Sequence, residues 1–225
     1  MPVKEVIATV TPDKGDGAVP AIRRPTQDRG RLKFDAILDT TEKLLETMEP
    51  GEISPYHIAA AMQTSPPTIY HFFPSVSLVF VALAERYLAR FEEVIKSLDV
   101  VVGSWQEFDA VMSRKLVAIY HDSPSVRKVI LGSYSAEIRH RDLECDKVVA
   151  NAIVDALSKR FIMPAIPSLT DRFLEAIVIS DALFALSLHQ HNFITPEAEE
   201  NARRARVSYL RNVLPEYLVV TDDAR

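Results

Sequence analysis

Two serine-proline pairs, Ser54-Pro55 and Ser65-Pro66, stand close together in the first third of the chain. Serine is favoured at the residue that caps a helix, and proline is tolerated at the first helical position, where no N–H bond is needed. Each pair therefore predicts the start of a short helix. Only Met62-Gln63-Thr64 remains to join the two, so the connection must be a tight turn. This outline is typical of a helix-turn-helix, whose second helix enters the major groove of DNA.

The side chains of this stretch divide into an inner and an outer set. Helical spacing predicts an inward position for the apolar residues, which are Ile58, Ala59, Met62, Ile69, Phe72 and Phe73. The outward side chains are small, hydroxylated or flat, which suits close approach to phosphates and base edges. These predicted DNA-binding residues are Thr64, Ser65, Pro67, Thr68, Tyr70 and His71. We expect Tyr70 and His71 to contact phosphates.

In order along the chain, these residues resemble the DNA-binding signature of the TetR family of transcriptional repressors. The resemblance is carried by Ile58-Ala59, Ser65, Thr68-Ile69-Tyr70-His71 and Phe73-Pro74-Ser75, and it covers about residues 31 to 87. It implies an all-α protein with an N-terminal three-helix DNA-binding head, joined to a C-terminal helical domain for ligand binding and dimerisation. The function implied is a ligand-responsive repressor. It would bind a pseudo-palindromic operator in double-stranded DNA as a homodimer and be released by a small, mostly apolar effector.

Three positions depart from the family pattern. Gln63 and Pro67 stand where glycines are usual, and Val76 replaces a lysine that commonly lies near a phosphate. In addition, no Asp, Glu, Lys or Arg occurs between Ile53 and Ala84. An uncharged surface is unusual for a protein that meets a polyanion. It favours an alternative function, a helical ligand- or protein-binding module of the same fold with weakened or lost sequence-specific DNA binding.

Positive charge is concentrated just before this neutral stretch. Residues 1–28 contain Pro and Gly breakers without sustained periodicity, which predicts a mobile arm with a basic end. Between Ile22 and Phe34, five basic residues against one acidic residue give a local charge of +4, although the whole chain carries −5. We expect Arg29, Arg31 and Lys33 to supply the charge that the head lacks, with the arm entering the adjacent minor groove. The alternative is a solvated basic tail.

Helical periodicity continues through the rest of the chain. Outside the helix-turn-helix, the predicted helices cover residues 32–48, 76–97, 104–121, 124–140, 142–161, 169–191 and 196–218. The predicted domains are the arm over 1–28, the DNA-binding head over 29–75 and the regulatory domain over 76–225, with a connecting helix over 76–98. The outer face of the last helix is predicted to carry Arg203, Arg204, Arg206 and Arg211.

Composition limits the remaining classes of function. The only cysteine is Cys145, so no internal disulfide and no cysteine metal site is predicted, as expected in a reducing cytoplasm. No export signal or long apolar run is evident, which predicts a cytoplasmic protein without a membrane partner. No phosphate loop or nucleophile elbow occurs, and the spacing of Glu137 and Arg141 fits an ordinary helical ion pair. His189 and His191 point to different helix faces. We therefore predict no enzyme, cofactor or metal.

Aromatic and sulfur-containing side chains recur on the regulatory helices, and they are candidates for an effector pocket or simply for core. Pockets between helices are mostly apolar with a few polar groups. The predicted ligand-binding residues are Trp105, Phe108, Met112, Tyr120, Tyr134, Arg139, Ser180, Asp181 and Phe184. In the family the last two helices form a four-helix bundle across a two-fold axis, a role that suits the apolar helix 169–191. The predicted dimer-interface residues are Phe173, Ile177, Phe184, Leu188, Val207, Leu210 and Leu214.

Overall fold

The computed structural model describes residues 21–132 and 136–221, with the backbone alone over 136–145. Its helices are α1 (Asp28–Leu45), α2 (Pro55–Ala61), α3 (Pro66–Phe72), α4 (Val76–Lys96), α5 (Trp105–Asp122), α6 (Pro124–Ile130), α7 (Ala136–Ser158), α8 (Leu169–His191) and α9 (Pro196–Leu210). A short 3₁₀ turn covers Pro50–Glu52, and two strands, β1 (Phe161–Ile162) and β2 (Val219–Val220), form a small ribbon. The predicted all-α fold is confirmed. Residues 1–20 of the predicted arm, and the side chains of Glu137, Arg141 and Cys145, lie outside the described residues.

Helices α1 to α3 form the head around a small aromatic core. Phe34 of α1 meets Phe72 edge-on, with 6.0 Å between ring centroids, and lies 4.7 Å from the ring of Phe73. Ile58 and Ile69, from the two short helices, are fully buried beneath the same cluster. The predicted inward set is confirmed, with Met62 half-buried at its margin.

The two predicted helix starts differ in their hydrogen bonds. Ser54 caps α2 as expected, because its hydroxyl accepts from the backbone N–H of His57 at 3.4 Å. Ser65 stands at the cap position of α3 but makes no such bond. The backbone N–H of Thr68 donates instead to the carbonyl of Ser65 at 2.9 Å, and the two hydroxyl oxygens lie 3.2 Å apart. The side-chain cap predicted at Ser65 is therefore wrong.

Helix α4 is shared by both halves of the molecule. It packs against α1 of the head, against α6, and most extensively against α7 of the regulatory domain. Every side chain from Val79 to Ala84 is buried, so no face of the helix is left to solvent over this stretch. A displacement of α4 must therefore move residues that it contacts both in the head and in the regulatory domain. Helix α8 packs between α7 and α9 and completes the regulatory domain.

Several predicted boundaries shift. The predicted helix 124–140 is divided, because α6 ends at Ile130 and α7 begins at Ala136; Gly132, a poor helix former, lies in the break. Helix α7 then runs through Asp142, where a separate helix was predicted to begin. The last helix ends at Leu210 rather than near residue 218, since Pro215 cannot continue it. Beyond it, β2 pairs antiparallel with β1, so that the chain following α9 returns to the end of α7.

Helix α8 is long and apolar enough to cross a membrane by length and composition. Core helices of other proteins share these properties, so the criterion is weak on its own. In this fold α8 packs against two neighbouring helices. Its buried face carries Phe173, Ala176, Ser180, Phe184 and Ser187.

Candidate DNA-binding surface and effector cavity

A groove lies between the N-terminal end of α1 and the exposed side of α3. Arg29 and Lys33 of α1 line it together with Thr68 and His71 of α3. Both cations come from an exposed helix face, whereas α3 itself carries no Lys, Arg, Asp or Glu. The structure therefore brings two of the three predicted basic residues beside the neutral recognition surface. That proximity joins separate parts of the sequence into one surface.

The end of the arm is fixed to the head. The backbone N–H of Arg23 donates to the carbonyl of Phe72, the last residue of α3, at 2.9 Å. Pro25 packs on Gly30 so closely that a Cβ at Gly30 would lie 2.7 Å from the Cβ of Pro25. Only glycine admits this approach without displacement of the arm. Residues 21–27 therefore pass over the start of α1 and reach the end of α3.

Not every basic residue here faces the groove. The guanidinium of Arg24 pairs with Glu85 of α4 and lies 5.9 Å from the ring centroid of Phe34. Arg31, predicted to bind DNA, donates to the carbonyl of Thr26 at 3.0 Å and does not line the groove. In this arrangement Arg31 supports the arm rather than the surface beside α3.

The predicted outward side chains of α3 and the turn are only partly exposed. Ser65, Pro67, Tyr70 and His71 are exposed, while Thr64 and Thr68 are half-buried. The hydroxyl of Thr64 donates to that of Thr68 at 3.2 Å, and the hydroxyl of Ser65 lies at the same distance from it. The hydroxyls of Thr64 and Ser65 thus both hydrogen-bond to that of Thr68. The turn before them holds Gln63 at φ 52°, in the left-handed region that favours glycine.

A charged cluster joins the head to α4. Arg86 of α4 approaches three carboxylates of α1, at 2.6 Å from Asp39, 3.3 Å from Asp35 and 3.8 Å from Glu42. Because the guanidinium is planar with several donors, it can bridge acids on successive helical turns. This cluster fixes the rotation of α1 relative to α4.

Helix α6 also holds the head, through one lysine. The ammonium of Lys128 donates to the carbonyls of Leu45 at 2.9 Å and Met48 at 3.0 Å, and lies 2.9 Å from a carboxylate oxygen of Glu49. The final carbonyls of a helix have no partner within it. Lys128 therefore acts as a cap for the C-terminal end of α1.

Arg127, the residue before Lys128, caps the C-terminal end of α5 in the same way. Arg127 donates to the carbonyl of Tyr120 and, at 3.1 Å, to that of His121, both at the end of α5. On the α4 side, the phenol of Tyr87 donates to the hydroxyl of Ser125 at 2.9 Å. Burial raises the pKa of Tyr87 far above its usual value, so this phenol remains a donor. Helix α6 is thus bonded to α1, α4 and α5.

A cavity of about 80 Å³ lies among the regulatory helices. Its wall is mostly apolar, and the polar atoms are grouped on α5, α7, α8 and α9. Part of the predicted ligand-binding set lines it, namely Met112, Tyr120, Ser180, Asp181 and Phe184. Sequence reasoning missed other lining residues, including Leu88, Phe91, Ser113, Asp146, Ile177 and Arg206. A volume of this size admits several waters or a small apolar group, and a larger ligand requires side chains to move.

Two predicted ligand residues lie elsewhere. The indole N–H of Trp105 donates to the carbonyl of Pro215 at 3.0 Å, and Phe108 is covered by the guanidinium of Arg160 at 5.0 Å. Both aromatic side chains belong to the core near the ribbon, so their assignment to the pocket is wrong. Tyr134 and the side chain of Arg139 lie outside the described residues.

Arg206 was expected on the outer face of α9 and is buried instead. Its guanidinium donates to both carboxylate oxygens of Asp109 at 2.8 Å, to the hydroxyl of Ser180 at 2.8 Å, and to that of Ser113. The sequence signal for this burial is the apolar face of α9, which Ala202, Val207 and Leu210 form. Residue 206 lies on the same face by helical spacing.

Tyr120 is buried and lines the cavity. Burial raises its pKa well above the usual value, and the charges of Asp181 and Asp146 raise it further. The hydroxyl donates to a carboxylate oxygen of Asp181 at 3.4 Å. Tyr120 is therefore protonated throughout the physiological range and presents a hydrogen-bonding hydroxyl to the cavity.

The predicted dimer-interface residues have little surface to offer a partner. Those that are buried within the protomer are Phe173, Phe184, Val207, Leu210 and Leu214, and those that are half-buried are Ile177 and Leu188. Two of them, Ile177 and Phe184, line the cavity. The exposed apolar face of α8 holds Val178, Ala182 and Leu186, spaced four residues apart.

Comparison with known proteins finds a partial sequence relative. No family model matches the chain. The chain is 34% identical over 83 residues to the HTH-type transcriptional regulator EthR of Mycolicibacterium smegmatis. That similarity covers 35% of this chain and only 38% of the relative, so it extends to part of each protein.

Solved structures resemble the chain over most of its length. A TetR-family regulator from Streptomyces coelicolor superposes with a TM-score of 0.65 at 19% identity, covering 81% of this chain and 98% of that one. A TetR regulator from a Rhodococcus species gives 0.66 at 16% identity, covering 83% and 99%. Both of these proteins are transcriptional regulators. The chain has the fold of the TetR-family transcriptional regulators, which is the fold that the resemblance in its sequence implies.

Proposed function

We propose that this protein is a ligand-responsive transcriptional repressor that binds a pseudo-palindromic DNA operator as a homodimer. The observation that carries the proposal is the groove in which Arg29 and Lys33 flank Thr68 and His71. Phosphate contacts from Lys and Arg supply most of the affinity of a protein for DNA. In this head, two cations from α1 provide them beside an uncharged recognition helix.

The proposed dimer uses the exposed face of α8. Val178 and Leu186 are 43% and 50% exposed, and Ala182 lies between them on the same face. Packing this face against its two-fold mate removes apolar surface from water. A dimer also places two heads on one duplex, where half-sites one helical turn apart match the two-fold symmetry.

The proposed effector occupies the cavity beside Tyr120 and releases DNA through α6. Tyr120 lines the cavity, its carbonyl is held by Arg127, and the next residue, Lys128, holds the end of α1. A ligand that enlarges the cavity displaces the end of α5 and with it α6. It shifts the equilibrium only by the difference in its affinity for the two head arrangements.

The first experiment is fluorescence anisotropy of the purified protein on duplexes from beside its own gene, titrated with salt. Binding that resists competitor DNA is expected. The variant with Arg29→Gln and Lys33→Gln should reduce the slope of log affinity against log salt by about 3.6, since the dimer loses two phosphate contacts in each head and each contact contributes about 0.9. Lys43→Gln, at the other end of the same helix, is the matched control and should retain the slope.

The alternative function predicts the opposite result in this binding experiment. A ligand- or protein-binding module of this fold would bind every duplex weakly and without sequence preference. The neutral surface from Ile53 to Ala84 is the observation that favours it. Weak, sequence-independent binding by the unaltered protein would therefore replace the repressor proposal by this one.

A further inference from the structure

The exposed surface of α3 carries no cation, and its exposed polar side chains Tyr70 and His71 are the two expected on phosphates, which limits the bases that it can read. No Lys or Arg lies between Ile53 and Ala84. Arg and Lys are the usual readers of guanine, which presents two acceptors, N7 and O6, in the major groove. The cations nearest to α3, Arg29 and Lys33, belong to α1 and line the groove at its side.

The backbone at the start of α3 adds no donors. Pro66 and Pro67 have no N–H group, and the N–H of Thr68 is used by the carbonyl of Ser65 at 2.9 Å. An ordinary helix presents several free N–H groups in its first turn. In α3 the donors of the first three helical positions are missing or already bonded.

The hydroxyl groups around this turn are also engaged. Thr64 donates to the hydroxyl of Thr68 at 3.2 Å, and Ser65 lies 3.2 Å from the same oxygen. A hydroxyl has a single hydrogen, so mutual bonding leaves few donors for a base. The side chain of Pro67, by contrast, is exposed and wholly apolar.

We propose that α3 reads the C5-methyl groups of thymine, with Pro67 as the specificity-determining contact. The methyl group of thymine is the one apolar feature of a base edge in the major groove, and it is absent from guanine, cytosine and adenine. An exposed proline ring can pack on it without a hydrogen bond. The bases beneath α3 in each half-site are then A·T pairs, while Arg29 and Lys33 contact the backbone. This inference rests on the proposed function, and it names the chemistry of the operator.

The test replaces thymine by deoxyuridine, which removes the methyl group and keeps the base pair. A bound duplex is first selected from random sequences, and each thymine of a half-site is then substituted in turn, with Kd measured by anisotropy. Loss of one buried methyl contact should weaken binding about fourfold at one or two positions. Substituting 7-deazaguanine for each guanine of the selected duplex, which removes the N7 acceptor, should have no comparable effect at any position.

The protein side of the test uses two proline variants. In Pro67→Ser the penalty for deoxyuridine should disappear, whereas in Pro55→Ser, which alters the proline at the start of α2, it should persist. Circular dichroism establishes that both variants are folded. A penalty that survives in Pro67→Ser overturns the role of Pro67. Sequence-specific binding that depends on guanine N7 overturns the thymine reading while leaving the repressor intact. Binding without any sequence preference overturns both.

Discussion

Arg206 and Asp109 form a two-point ion pair inside the regulatory domain, with both nitrogen–oxygen distances at 2.8 Å. Their side chains are only 10% and 6% exposed, so the pair is shielded from solvent. It links α9 to α5 at the edge of the cavity, and Ser180 of α8 accepts a further hydrogen bond from the same guanidinium. Three helices therefore depend on one buried charge.

Removing one member of this pair should destabilise the protein strongly. Arg206→Met leaves the carboxylate of Asp109 buried without its counter-charge, and we expect the free energy of unfolding to fall by about 3–5 kcal/mol. The double variant, with Asp109→Leu added, should recover much of the loss because no isolated charge remains. Urea denaturation of both variants measures this difference. A single variant as stable as the parent would contradict the prediction.

The lysine of α6 should control the order of the end of α1. In Lys128→Met the carbonyls of Leu45 and Met48 lose a charged donor, a loss of roughly 1.5 kcal/mol or more. Amide hydrogen exchange at the end of α1 should accelerate by about tenfold. Lys115→Met, an exposed lysine of α5, is the control and should leave that exchange unchanged. Equal exchange in the two variants would count against the capping role.

The turn of the helix-turn-helix should gain stability from glycine. Gln63 has φ 52°, which costs a residue with a Cβ about 1–2 kcal/mol, whereas glycine adopts it freely. Glycine also has greater entropy in the unfolded chain, which offsets part of this gain. Gln63→Gly should therefore raise the free energy of unfolding by about 0.5–1 kcal/mol. Gln63→Ala retains the Cβ and should give no gain. Thermal and urea unfolding of the pair provide the measurement.

The buried phenol of Tyr120 should make the protein less stable in alkali. Its pKa is raised in the folded state, mainly by burial, so the folded protein keeps a proton that the unfolded chain releases above about pH 10. The stability is fully present below that pH and falls as pH rises, by about 1.4 kcal/mol per pH unit for one group. Tyr120→Phe should show a shallower decline. Measurements at pH 7, where the phenol is protonated in both states, give the baseline for each protein.

The exposed face of α8 should determine the oligomeric state. Leu186→Glu places a charge within the proposed two-fold contact, and we expect a monomer by light scattering at micromolar concentration. Leu32→Glu, at another exposed leucine with 72% exposure, should leave the state unaltered. An unaltered protein that is already monomeric would refute the proposed dimer.

The head could be predicted well because its signals are local. A serine followed by proline marks a helix start whatever lies elsewhere in the chain, and the spacing of Ile58, Ile69 and Phe73 defines one buried side. Even there, the hydroxyl of Ser65 bonds to that of Thr68 and does not cap the helix. Pro66 and Pro67 have no N–H group, and the N–H of Thr68 already donates to the carbonyl of Ser65.

The cavity and the dimer face were less predictable because they depend on which helices meet. Trp105 and Phe184 are both aromatic on amphipathic helices, yet one packs near the ribbon and the other lines the cavity. Burial of Arg206 depends on Asp109, nearly a hundred residues earlier in the chain. Helical spacing could suggest an inward side chain but could not name its partner.

The adjacent caps on α6 have a mechanical consequence. Arg127 and Lys128 leave the helix axis about 100° apart, because an α-helix has about 3.6 residues per turn. The helix covers only Pro124–Ile130, so it has little length over which to twist. Turning it to release the end of α5 must also strain the bonds to the end of α1. The two attachments therefore move together, so that a displacement of the cavity wall also displaces the contact of α6 with the head.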